Sequence, residues 1–101
     1  MVIFIRDYTN SDTAISYEDG KRCLDDILNY IENDVVTLDF KGINFVITAF
    51  LNPVIGDLIL QKGPSVIQKI SINNASNAII EKIVLVRDGA LLKREDAEEF
   101  F

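Results

Sequence analysis

The sequence contains no histidine, which removes the commonest general base, the usual partner of a serine or cysteine nucleophile, and the commonest transition-metal ligand. Most hydrolase and metal-site chemistries are set aside with it, and neither a catalytic nor a metal-binding set of residues is expected. A single cysteine, Cys23, excludes an internal disulfide. It would meet Ile27 and Tyr30 on one helix face, so it reads as a packing thiol rather than a reactive one. Basic residues are scarce, with ten Lys and Arg against sixteen Asp and Glu and a net charge of −6. They are also scattered, and a nucleic-acid backbone would be repelled. Long apolar runs are missing as well: Ile43 to Ile55 is about half to two-thirds of a membrane span and contains Asn44, Asn52 and Pro53. No arginine-led apolar signal segment opens the chain, so the cytoplasm is the expected location and no membrane is expected as a partner. Gly42, Gly56 and Gly63 lie too far apart for a phosphate-binding loop, and no cofactor is expected.

What is present is an ordinary globular composition, 49% hydrophobic and 26% charged over 101 residues, enough for one domain around one core. Val2 to Ile5 is a β-prone run, followed by turn residues Asn10-Ser11-Asp12 and a short strand-like Thr13-Ala14-Ile15. Ser16 and Asp19 have the spacing of a capping box, and the helix predicted after them runs to about Asn33. Its apolar stripe is Leu24, Ile27, Leu28 and Ile31. Val35 to Phe40 is too apolar to alternate cleanly, which predicts a central strand covered on both faces. A second helix carries Val54, Ile55, Leu58 and Ile59 and ends near Gly63-Pro64. Its start is predicted to be irregular between residues 48 and 53. With Thr48 as cap, Pro53 falls at the fifth helical position; with Asn52 as cap, Pro53 takes the favoured first position.

Val66 to Ile72 reads as a further strand closed by Asn73-Asn74, and a third helix starts near Ser76 with Ile79, Ile80, Ile83 and Val84 as its stripe. Residues Ile83 to Val86, followed by Asp88-Gly89, fit a helix or a strand and turn equally well. Residues 93–101 form a charged tail ending in two phenylalanines. Alternating strands and helices of this length imply an α/β fold, an open, mostly parallel or mixed sheet of about four strands with helices packed against it.

Paired carboxylates at Asp25-Asp26 and along Glu95-Asp96 and Glu98-Glu99 read as solvated helix faces, because neighbours in a helix point apart. The segment Gly42 to Asn52 is different by position, lying between the predicted central strand and a helix, where open α/β sheets place their binding crevices. Thr48 sits inside it, as a helix cap or as a phosphoacceptor whose phosphate free amides would stabilise. Phe50 and Leu51 would form an exposed apolar docking patch, with Gly42 and Asn52 completing a partner-binding surface.

Leu38-Asp39-Phe40-Lys41-Gly42-Ile43, followed by Thr48-Ala49-Phe50-Leu51-Asn52 and Gly56, resembles the signature of a STAS-like domain family of unknown function found in bacteria and archaea. Ser16 to Gly20 fits the helix start that precedes it. The family is similar to sulfate-transporter and anti-sigma-factor-antagonist (STAS) domains, and the resemblance implies a sheet-and-helix fold that acts by docking. In partner switching, a histidine-kinase-like ATPase phosphorylates such a domain on a serine or threonine and so selects its partner. The phosphoacceptor motif, an aspartate and then the hydroxyl residue, falls here on Ile47 and Thr48, so the hydroxyl is kept and the aspartate is not. The leading expectation is a non-catalytic regulatory module whose 42–52 loop meets a protein partner. A small carboxylate-dependent enzyme or effector using Asp39 with Lys41, or a nucleotide-binding domain, is the alternative. A homodimer through a sheet edge stays open.

Overall fold

The computed structural model describes residues 1–99, and in it the β-prone runs become five short strands in two separate sheets. β1 (Val2–Phe4), β3 (Val36–Asp39) and β5 (Ile70–Asn73) form one, in the order β1-β3-β5, and β2 (Thr13–Ala14) pairs with β4 (Phe45–Val46) in the other. All three strand pairings are parallel, with Val2 opposite Thr37, Val36 opposite Ile70 and Thr13 opposite Phe45. The class is α/β as the alternation implied, and of the parallel and mixed pairings it allowed the structure takes the parallel one, with the single expected sheet divided into two. A one-turn helix, α1 (Arg6–Thr9), unheralded in the sequence, follows β1 and closes at Asn10 in the left-handed conformation.

Central placement of β3 agrees with its apolar run. Its coverage does not: Ile3, Leu38 and Ile72 align on the core side, whereas Val2, Thr37 and Ser71 align on the other, and Val2, Phe4 and Ser71 are exposed. One face of this parallel sheet is therefore open among the described residues. On the core face, Val36 and Leu38 are fully buried within one cluster that also takes in Leu24, Ile27, Phe50, Val54 and Leu58. Burying each such side chain contributes about 1.5–3 kcal/mol.

α2 (Tyr17–Tyr30) starts where the capping residues put it, with the Ser16 hydroxyl accepting from the Asp19 N–H at 3.2 Å. The reciprocal half of the box is missing because the Asp19 carboxylate pairs with Arg22. Its last turn has no basic residue of its own, and Lys69 supplies the charge by donating to the carbonyls of Ile31 and Glu32.

The second helical run begins as α3 (Thr48–Leu51), with Ile47 as N-cap, so neither Thr48 nor Asn52 caps it. Pro53 does fall inside the helix. It can donate nothing to the Ala49 carbonyl, and the helix absorbs the interruption by widening into a π-helical stretch, Asn52–Asp57, before α4 (Leu58–Lys62). The expected irregularity is thus real and lies slightly later in the chain. Gly63, at φ 95°, ends α4, and Pro64 opens a 3-10 turn, Pro64–Lys69. The strand predicted from Val66 is shortened at its start for that reason.

α5 (Asn77–Glu99) is helical throughout 83–86. Ser76 caps it through the Ile79 N–H, and Ile79, Ile83, Val86 and Ala90 are the buried positions, while Ile80 is 43% exposed. The tail expected over 93–101 continues this helix as far as Glu99, and Phe100 and Phe101 lie outside the described residues. No helix among the described residues is long and apolar enough to cross a membrane.

Two glycines in these helices have opposite meanings. A methyl group at Gly20 would overlap the Phe50 carbonyl oxygen and come within 2.7 Å of the Pro53 ring, so α2 crosses the α3 segment backbone to backbone. At Gly89, mid-way along α5, a methyl group would meet nothing within 4 Å. Gly20→Ala is expected to destabilise the domain by about 1–3 kcal/mol despite alanine's better helix propensity. Gly89→Ala is expected to stabilise it by about 0.5–1 kcal/mol. Urea midpoints of the two variants, measured side by side, check both signs.

Candidate functional site

Two segments leave the carboxyl ends of β3 and β4, a turn and a helix start, and the sequence places chemistry on each. β3 ends at Asp39, 8% exposed and the only charged side chain buried among the described residues. Its Oδ1 accepts from the Lys41 N–H at 2.9 Å and from Asn74 Nδ2 at 3.0 Å. The first bond shapes the turn Phe40-Lys41-Gly42-Ile43, which the Ile43 N–H closes onto the Phe40 carbonyl at 2.9 Å. Gly42 stands there at φ 79°, and Arg6 donates to its carbonyl at 3.2 Å. The second bond ties this turn to the residue after β5. Asn74 and Lys41 hold the Asp39 carboxyl below the usual carboxylate range, so it stays ionised at neutral pH and serves the fold as an acceptor.

β4 runs through Ile47 directly into α3. Ile47 is extended, at φ −112° and ψ 162°, and offers no side-chain cap; Thr48 takes the first helical position with its side chain exposed. Its hydroxyl has no hydrogen-bond partner among the described residues. Phe50 and Leu51, expected as an exposed docking patch, are both fully buried. The reason is helical spacing: once α3 starts at Thr48, positions 50 and 51 share the inward face with Val54, Ile55 and Leu58, and Thr48 and Asn52 share the outward one.

Thr48, Asn52 and Gly56 form one wall of a groove of about 400 Å³, and Leu85, Gly89 and Lys93 of α5 line the other. The wall is pinned by Lys82, whose ammonium donates to the Val46 carbonyl at 2.6 Å and lies 4.3 Å from the centre of the Phe45 ring. Of the residues singled out by sequence, the structure thus brings Thr48 and Asn52 together, turns Phe50 and Leu51 inward, and leaves Gly42 in a separate turn. Lys82, Gly89 and Leu85 were not read as site residues. Gly89, a glycine inside an apolar-periodic run, was the one signal that could have marked them. Cys23 is buried and its thiol is pushed up to about 12 by burial and by Asp26, in keeping with a packing role.

Residues 19–79 match the sequence profile of the STAS-like domain of unknown function (DUF4325). The chain belongs to this family. Searches of the curated proteins and of the solved structures find no match. The STAS-like match takes in α2 from Asp19 on, β3, Thr48 and the π-helical stretch, while β1 and most of α5, including the far wall of the groove, lie outside it.

The Asp39 tie has a pH signature. Because its folded-state value is lowered, its stabilisation is fully present above the unfolded carboxylate range and is lost as pH falls through the folded value. Asp39→Ala is expected to lower the thermal midpoint clearly at pH 7, with the gap to the unaltered protein narrowing below about pH 4. Melting curves across that interval test it; a gap independent of pH would show that the ionised carboxylate contributes nothing.

Proposed function

We propose that this STAS-like domain is a non-catalytic regulatory module that docks a protein partner at α3 and the adjoining groove, with Thr48 as the switch. The observation that supports this reading is the position of Thr48, an exposed hydroxyl without a partner among the described residues, on the rim of the 400 Å³ groove, with its apolar neighbours turned away. Docking then rests on Thr48, Asn52 and the α5 wall rather than on Phe50 and Leu51. Phosphorylation by a histidine-kinase-like ATPase, the mode that STAS relatives use, would add about two negative charges at this rim. Lys93 lines the same groove, and Lys82 holds the strand end two residues before Thr48. New charge there would draw these ammonium groups and change what the groove accepts. A carboxylate enzyme centred on Asp39 has less support, since that carboxyl is held ionised by bonds that build a turn.

Affinity capture of the tagged chain from its own cells, with mass spectrometry of both the partners and Thr48, tests the proposal. The expected result is a histidine-kinase-like ATPase among the captured proteins and phosphate on Thr48. Thr48→Asp should change capture of the partner by about tenfold or more while leaving stability within about 0.5 kcal/mol, since an acidic residue suits the first turn of a helix. Equal capture by Thr48→Asp, Thr48→Ala and the unaltered chain would overturn the switch.

A further inference from the structure

The outer edge of β1 carries unpaired backbone groups. The Met1 carbonyl accepts from the Thr37 N–H at 2.8 Å and the Ile5 N–H donates to Asp39 at 2.9 Å, so the odd-numbered residues of the strand face β3. Alternation then turns the N–H and C=O of Val2 and Phe4 outward, where they meet no partner among the described residues. Val2 is 49% and Phe4 44% exposed. Alongside this edge runs a cavity of about 200 Å³, bounded by Val2 and Phe4 on the strand, Asp7 and Tyr8 of α1, and Asp26 and Tyr30 of α2.

We infer that β1 is a strand-addition site that takes an extended, basic segment of a partner protein. An added strand would satisfy the four outward backbone groups of Val2 and Phe4 and lay alternate side chains on the open face beside Val2 and Phe4 and in the cavity. Charge chooses the occupant. Two carboxylates, Asp7 and Asp26, line the described part of the cavity with no lysine or arginine, and the amino group of Met1, which also borders it, is neutralised by an ion pair with Asp34. The Asp26 carboxylate is fixed by the Tyr8 hydroxyl, whose own proton is held more tightly than usual by burial and by that bond. Of the basic groups on or beside α1, Arg6 is spent on the Gly42 carbonyl and Arg22 on the Tyr8 carbonyl and Asp19. A second copy would set the same carboxylates against each other and bring a net charge of −6 with it. A basic strand meets neither obstacle and is steered toward the acidic chain. This surface is separate from the Thr48 groove, so its test stands apart from that of the switch.

Selection of random dodecapeptides displayed on phage against the full chain is the experiment. Enriched sequences are expected to alternate apolar residues with Lys or Arg, and a synthetic copy should slow amide exchange at Val2 and Phe4. Val2→Pro deletes one outward donor at the first strand position, where proline is tolerated, and should weaken binding by about tenfold or more. Asp7→Lys should weaken it with a loss of salt dependence, and both variants should melt close to the unaltered chain. No enrichment, enrichment of acidic peptides, or undiminished binding to Val2→Pro and Asp7→Lys would overturn the inference. So would protection of Val2 and Phe4 that appears with rising protein concentration and no peptide, since a second copy would then own the edge.

Discussion

The fold depends on a contact made by a missing side chain. α2 lies against α3 and the π-helical stretch at Gly20, closely enough that the Phe50 carbonyl and the Pro53 ring occupy the space of a methyl group. From that approach follows the seating of Cys23, Leu24 and Ile27 of α2 among Phe50, Leu51 and Val54, and with it the core face of the three-stranded sheet. Pro53 belongs to the same arrangement. Its ring packs at Gly20, and its inability to donate is what widens the following turns. A regular helix without proline would carry its side chains in a different rotation past this point, and the groove beside α5 would be lined by other residues.

Much of this was legible from local chemistry. Ser16, Gly63 and Ser76 marked helix ends correctly because each acts on its own neighbours. The central place of β3 followed from its largely apolar run. What the sequence hid was of longer range. Residues 83–86 are β-prone in composition, and only packing of Ile79, Ile83, Val86 and Ala90 at helical spacing decides for α5. The direction of Phe50 and Leu51 hung on whether the helix began at Thr48 or after Asn52, a difference of four or five residues that inverts inside and outside. The division into two sheets could not be read at all, since β2 and β4 are two residues each and owe their pairing to a distant stretch of chain. At the site, Thr48 was visible from its place in the loop, whereas its opposite wall lay in α5 and needed the folded chain to be found.

The polar groups divide by purpose. Asp39, Asn74 and Arg6 are absorbed in holding the turn after β3, and Lys69 in finishing α2. Thr48 and the outward amides of β1 satisfy nothing within the described residues. The STAS-like match covers Thr48 and, of the second surface, Asp26 and Tyr30, whereas the β1 edge itself lies outside it.

Because every strand pairing is parallel, each joins residues more than thirty positions apart, with no hairpin among the described residues. No strand can gain a partner until a whole crossover has closed behind it, so loop entropy is lost before any ladder bond repays it. β3 waits on both of its neighbours at once. Such a chain has few stable halfway states, and folding comes late and together; until then the apolar run of β3 is exposed to whatever else is in solution, which makes the speed of synthesis and the concentration of unfinished chains part of the domain's physical biology.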